Sequence, residues 1–210
     1  MHNAVTRETI RVSVQRLKSF WRSRVLRGVD FADNHQRLDA VYRVKDPWGF
    51  TDPREQMRFH ETNRILLREF GPIGTLLEIG CAEGHQTAYL MHVCDQLYGI
   101  DVSSRAVRRA KGRCPGAILA TGDIGSAASI AGTRKRFDVV VACEVLYYVK
   151  NIAENLRRME DLGRGCLVTY YYLDCYRQRL DHELACIHTA GREIIRCEDR
   201  IWSVVWWRNE

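Results

Sequence analysis

The chain has 210 residues, 46% of them hydrophobic, and a net charge of +6 from 32 Lys and Arg against 26 Asp and Glu; that length suits one α/β domain with a full core and an elaborated end. No apolar run approaches the roughly 20 residues that cross a bilayer, and no uninterrupted apolar stretch of a secretory signal opens the chain, so a cytoplasmic protein is expected. The eight cysteines form no C-x-x-C pair and the seven histidines no H-E-x-x-H, which reads as buried thiols in a reducing compartment and no metal site.

Residues 1–45 read as a basic helical N-terminal arm. Arg7, Arg11, Arg16, Lys18, Arg22, Arg24 and Arg27 alternate with Val12, Val14, Leu17, Phe20, Trp21, Val25 and Leu26, and Gly28 marks a break. Such a segment can pack on the rest of the chain or on a second copy in a homodimer, lie on a membrane surface, or meet nucleic acid. No RNA-binding module accompanies it, which counts against nucleic acid.

Residues 46–210 read as the main domain. Asp46-Pro47-Trp48-Gly49-Phe50 makes a turn, and Pro53 opens a helix running through Glu69 that Gly71-Pro72 ends. A strand over Thr75–Ile79 leads through a turn with Gly80, Ala82 and Gly84 into a helix opening near Gln86. A second strand, Leu97–Ile100, ends on Asp101, and a third covers Ala117–Ala120. Arg136–Glu144 is the most β-branched run and reads as a buried central strand. Asn151–Leu162 is helical and closed by Gly163–Gly165; Cys166–Leu173 is a strand, Arg177–His188 a helix, and Glu193–Cys197 with Ile201–Trp207 a terminal hairpin. This alternation predicts a doubly wound, Rossmann-like, mostly parallel α/β sheet with a C-terminal antiparallel hairpin.

The run Glu78-Ile79-Gly80-Cys81-Ala82-Glu83-Gly84, with Asp101 lying 21 positions after Gly80, points to a nucleoside ligand. Glycines let backbone approach it, and the acidic residue at the end of the next strand can accept both ribose hydroxyls. The spacing is E-x-G-x-A-x-G and not the G-x-G-x-x-G of a dinucleotide turn. Carboxylates at 78 and 83 would repel a phosphate and suit a cationic ligand. Alternatively, Asp101 is a helix cap for Ser103 onward, and Asp123 is an ordinary turn residue.

On these residues the chain resembles the class I S-adenosylmethionine-dependent methyltransferases, with Ala82 in place of the middle glycine of their first motif. The later blocks follow in that family's order. Thr121-Gly122-Asp123-Ile124 matches its adenine-binding turn, and Glu144-Val145-Leu146-Tyr147-Tyr148 occupies the place that lines the methionine end of the cofactor and the acceptor. Within that superfamily the chain looks closest to the nodulation-type N-methyltransferases, which act on deacetylated chitin oligosaccharides. The carrying residues are Asp46–Phe50, Glu61, Arg64, Gly80-Cys81 and Glu144–Tyr148. The resemblance spans about residues 46–150; the aromatic segment Thr169–Asp174 departs from it.

The resemblance implies S-adenosylmethionine as cofactor, held by Glu78, Gly80, Cys81, Ala82, Gly84, Asp101, Val102, Asp123, Ile124 and Glu144. It implies methyl transfer to a small polar acceptor, an amine such as an amino sugar, with Glu144, Tyr147 and Tyr148 at the reacting centre. Trp48, Tyr172 and Asp174 are the expected acceptor contacts. Plainer roles stand beside these: Glu144 as a charge at a helix N-terminus, Trp48 and Phe50 as a hydrophobic staple, one of the two tyrosines as core. O-methylation of a glycan or natural product, RNA methylation, and a cofactor-binding subunit without turnover remain alternatives.

Overall fold

Thr75–Ile79 is buried along its whole length, as a strand covered on both faces must be. It is an interior strand of the sheet. In the computed structural model the described residues are 32–130, 132, 136–172, 180–185, 187 and 191–209. In chain order they form α1 (His35–Val41), α2 (Pro53–Phe70), β1 (Thr75–Ile79), α3 (His85–Leu90), β2 (Gln96–Asp101), α4 (Ser104–Arg113), β3 (Ile118–Thr121), α5 (Ala127–Ile130), β4 (Phe137–Cys143), α6 (Ile152–Leu162), β5 (Gly163–Tyr171), β6 (Gly191–Cys197) and β7 (Arg200–Arg208). Short 3₁₀ turns lie at Ile124–Ser126 and Leu146–Tyr148, and residues 180–184 are helical within the expected 177–188 helix.

The sheet order is β3-β2-β1-β4-β5-β7-β6. β1 pairs in parallel with β2 and with β4, and β5 in parallel with β4, while β7 runs antiparallel to both β5 and β6. The Rossmann-like fold and its final hairpin are therefore as the sequence predicts. The strand order reverses between β1 and β4, which opens a crevice at their carboxyl ends.

Side-chain alternation divides the core between the two faces. Leu76, Val139, Val141 and Val204 join Ile65, Leu66 and Val107 on one side, while Leu77, Val140 and Val205 join Ile152, Leu156 and Met159 of α6 on the other. Each such side chain contributes about 1.5–3 kcal/mol when fully buried. The helices begin where capping chemistry allows: Asp52 accepts the amide of Arg54 ahead of Pro53, Ser103 that of Ala106, and Asn151 that of Glu154.

The boundary between α6 and β5 carries more than the sequence suggests. Gly163 closes α6 as expected, its amide donating to the Met159 carbonyl, but Gly163–Gly165 also opens β5, in register with Phe137–Val139 of β4. These glycines answer to packing. A Cβ on Gly165 would lie 2.4 Å from the Phe70 ring, and one on Gly163 would lie 2.7 Å from Val140 Cγ2.

Of the expected arm, residues 1–31 lie outside the described residues. Its end, α1, lays Leu38 and Val41 against Trp48, Val102 and Tyr148. No helix among the described residues is long and apolar enough to cross a membrane.

Candidate active site

The turn after β1 folds over the end of β2. Gly80 and Cys81 both donate their amides to the Ile100 carbonyl, at 2.7 and 3.0 Å. Gly80 has φ +75, and a Cβ there would meet Val145 Cγ2 at 2.3 Å, so both the backbone and the loop after β4 require glycine. Ala82 adopts φ +47, a left-handed conformation that costs a non-glycine residue roughly 1–3 kcal/mol. Its amide donates to Asp101 Oδ2 at 2.9 Å, which fixes it there. Asp101 Oδ1 accepts the amide of Ser103 at 2.8 Å. Ser103, not Asp101, caps α4. Burial pushes the Asp101 carboxyl up to about 6 against these two bonds.

These turns edge a cavity of about 790 Å³ at the carboxyl ends of the strands. On the β2–β3 side it is lined by Gly80, Ala82, Asp101, Val102, Asp123 and Ile124, and in the middle by Glu144, Tyr147 and Tyr148. On the β5–β7 side Glu55, Tyr171, Arg200 and Trp202 line it, with Trp48 and Phe50 from the loop before α2. The Asp123 carboxylate accepts the Ser126 amide at 2.9 Å in a reciprocal cap of the short turn that follows. These bonds outweigh its burial and lower its pKa.

Glu78, Cys81 and Gly84 stand apart from this lining. Glu78 is 2% exposed and accepts the Thr87 hydroxyl at 2.6 Å; burial raises its carboxyl to about 8. Cys81 is buried against Gly99, and the missing Cβ of Gly84 leaves room for Ala110 Cα at 3.0 Å from where that Cβ would stand. All three shape the turn from behind.

The charge argument for a cationic ligand therefore needs correcting in its residues. Glu83, like Glu78, does not line the cavity. Its Oε2 accepts the amide of Asp46 at 2.7 Å, and its Oε1 pairs with Arg109. Although burial opposes it, the nearby His85 ring and bonds from Arg109 and Asp46 keep this carboxyl below its ordinary value. The acidic lining comes from Asp33, Glu55, Asp101, Asp123, Glu144 and Glu154 instead.

Glu83 anchors the aromatic loop. Asp46, at φ +48, accepts the amides of Phe50 at 2.7 Å and Thr51 at 3.2 Å and the Thr51 hydroxyl at 2.6 Å. The loop so closed holds Trp48 with its ring 5.5 Å from that of Tyr148 and its Nε1 donating to Tyr42 Oη at 2.9 Å. His85 Nε2 lies 3.6 Å from Glu83 and 3.9 Å from Asp46. Among the described residues this trio is the group with ligand atoms close enough for a metal, but its carboxylate oxygens already serve the loop.

Glu144 stands at the end of β4 with φ +60, its amide donating to the Thr169 carbonyl at 2.9 Å. Its Oε1 accepts the Thr169 hydroxyl at 3.0 Å and its Oε2 the hydroxyl of Tyr147. Tyr147 Oη in turn accepts the amide of Tyr171 at 2.7 Å, so this hydroxyl braces the loop against β5. Burial raises the pKa of Glu144, opposed by Arg58 and by the bonds from Tyr147 and Thr169.

Tyr172 does not line the cavity; its neighbour Tyr171 does. Successive strand residues face opposite ways, so reading the aromatic run one position out selects the wrong ring. Asp174 lies outside the described residues. The sequence reading also passed over Glu55, Arg58, Gln86, Thr169 and Arg200. Arg58 carries a usable signal: it falls one turn before Thr62 and two before Ile65 on the buried stripe of α2, where a charge has to be paired.

The family model for nodulation protein S, NodS, matches residues 30–164. Nodulation protein S of Rhizobium tropici is 32% identical over 161 residues, 74% of this chain and 67% of that protein. The Bradyrhizobium diazoefficiens protein is 34% identical over 126 residues, so the match spans 58% of this chain and 58% of that relative. Among solved structures, the N-methyltransferase NodS from Bradyrhizobium japonicum WM9 in complex with S-adenosyl-L-homocysteine superposes with a TM-score of 0.69 at 24% identity, over 86% of this chain and 99% of that one, a likeness of fold. By the extent of the family match, this chain belongs to the NodS family.

Proposed function

We propose that this chain is an S-adenosylmethionine-dependent N-methyltransferase whose acceptor is the free amine of an amino sugar or similar small polar molecule. The observation that carries the reading is that Asp101 and Glu144, at the ends of β2 and β4, line one cavity on either side of Gly80. The donor supplies a methyl group on a sulfonium, open to in-line displacement by a nucleophile.

The residues present suit such a donor. Asp101 offers an acceptor for ribose hydroxyls, Asp123 and Ile124 offer an acceptor and an apolar contact for an adenine, and Gly80 and Ala82 bring backbone to the cavity wall. Trp48 and Tyr148, in contact across the opening, restrict water where charge moves from sulfur to nitrogen. The aromatic faces of Tyr147 and Tyr148 favour a cationic group.

An amine attacks through its lone pair, so an acceptor that arrives as ammonium must lose a proton before the new bond forms. Glu144 is the carboxylate suited to receive it, and its two bonds from Tyr147 and Thr169 hold it in one orientation. Alignment of this kind supplies much of the rate in a displacement. The test is transfer of a labelled methyl group from S-adenosylmethionine to a chitin tetramer bearing one free amine, beside the fully N-acetylated tetramer. Label on nitrogen in the first sugar alone supports the proposal. Label on oxygen, or in neither sugar, counts against it.

A further inference from the structure

Arg58 is 1% exposed, does not line the main cavity, and lies at the centre of a polar chain beneath it. Its Nε donates to Glu55 Oε2 at 3.0 Å, and its Nη1 donates to Gln86 Oε1 at 2.9 Å and to Thr169 Oγ1 at 3.3 Å. Thr169 Oγ1 donates in turn to Glu144 Oε1 at 3.0 Å. At the other end Arg200 Nη1 donates to Glu55 Oε1 at 2.6 Å. The chain thus runs Arg200, Glu55, Arg58, Thr169, Glu144, Tyr147, from the C-terminal hairpin to the loop after β4.

We propose that Arg58 is a positioning residue for methyl transfer: acting through the Thr169 hydroxyl, it orients the Glu144 carboxylate toward the acceptor amine. The catalytic part rests on the function proposed above. A buried guanidinium is costly unless paired, and here Glu55 is its ion-pair partner, while Arg200 supplies Glu55 with a second cation. Thr169, accepting from Arg58, has its hydroxyl hydrogen directed to Glu144. Valine at 169 would fill the same volume and carry neither bond.

The charged and titratable groups facing Glu144 are Arg58 and Glu55 from α2, Tyr147 from the loop after β4, and Cys143 beside it. Arg58 and the bonds from Thr169 and Tyr147 favour the carboxylate; Glu55 and burial oppose it. Loss of Arg58 or of the Thr169 hydroxyl therefore has one sign: Glu144 takes up a proton at higher pH.

The test is carbon NMR of the Glu144 carboxyl, assigned with Glu144→Gln, in the wild type, Thr169→Val, Thr169→Ser and Arg58→Met, paired with the pH dependence of kcat on the singly de-N-acetylated chitin tetramer. In Thr169→Val the titration midpoint and the acid limb of kcat should both rise by about one pH unit, a tenfold change in proton affinity, and Thr169→Ser should restore them. Arg58→Met, if folded, should rise at least as far. An unchanged midpoint in Thr169→Val, or a serine variant that shifts like valine, overturns the role given to Arg58. The NMR arm needs no acceptor, so a protein that couples these residues but methylates no amino sugar counts against the proposed function and the catalytic use of Arg58, while leaving the coupling established.

Discussion

The carboxylate of Asp101 accepts the backbone amide of Ala82 at 2.9 Å, fastening the end of β2 to the left-handed turn that leaves β1. Two segments that a ligand at this sheet edge would touch are thereby one rigid unit. The same bond explains how an alanine holds a left-handed conformation that glycine adopts more readily.

At position 82, glycine should relieve the left-handed strain of Ala82 while adding freedom to the unfolded chain. Ala82→Gly is expected to change stability by less than about 1 kcal/mol. A β-branched residue tolerates this backbone poorly, and Ala82→Val should lose on the order of 2 kcal/mol or more. Urea unfolding midpoints of the two variants give the comparison.

Gly165→Ala should destabilise the protein by roughly 1–3 kcal/mol through overpacking, because the added methyl group meets the Phe70 ring at 2.4 Å. Phe70→Leu alone is also destabilising. Combined in one chain, the two changes should cost less than the sum of their separate effects. Strict additivity would show that the glycine answers to something other than that ring.

The folded carboxyl of Glu78 lies near 8, well above its ordinary 4.5. The folded state then holds a proton that the unfolded state has released, so this contribution to stability is full below about pH 4.5 and is lost as the pH rises through about 8. Glu78→Gln keeps an acceptor for Thr87 and cannot ionise. It should be more stable than the wild type above pH 8, by up to about 5 kcal/mol, with no advantage near pH 4.5. Thermal unfolding across that range decides it.

Trp48 contacts Tyr148 at the cavity rim and donates to Tyr42. Trp48→Ala should open the rim to water, lowering kcat about tenfold or more, with a smaller effect on stability than a core tryptophan such as Trp202 would have. Equal losses of stability in Trp48→Ala and Trp202→Ala would assign Trp48 to packing alone.

Local chemistry made the frame of this protein legible in its sequence. An apolar run gave β1 and a β-branched run β4, Pro53 the start of α2, and the E-x-G-x-A-x-G spacing with Asp101 the sheet edge where the cavity opens. Side-chain direction and long-range pairing were not legible. Glu83 turns back to Asp46 because the loop before α2 packs on the motif turn, and Tyr171 replaces Tyr172 at the cavity through strand parity. Thr169 meets Arg58 across 111 positions, a separation that no local pattern encodes. Gly163 does stop α6, but what local pattern does not show is that Gly163 and Gly165 are also the places where Val140 and Phe70 press on β5.

The claim that this cavity holds the methyl donor is tested most directly by calorimetric titration with S-adenosyl-L-homocysteine of the wild type and Asp101→Ala, each checked for folding by circular dichroism. The prediction is one site per chain in the wild type and an affinity at least about tenfold lower in the folded variant, as expected when a buried carboxylate loses its ligand bonds. Equal affinity in the two proteins, or no binding by the wild type, would contradict it.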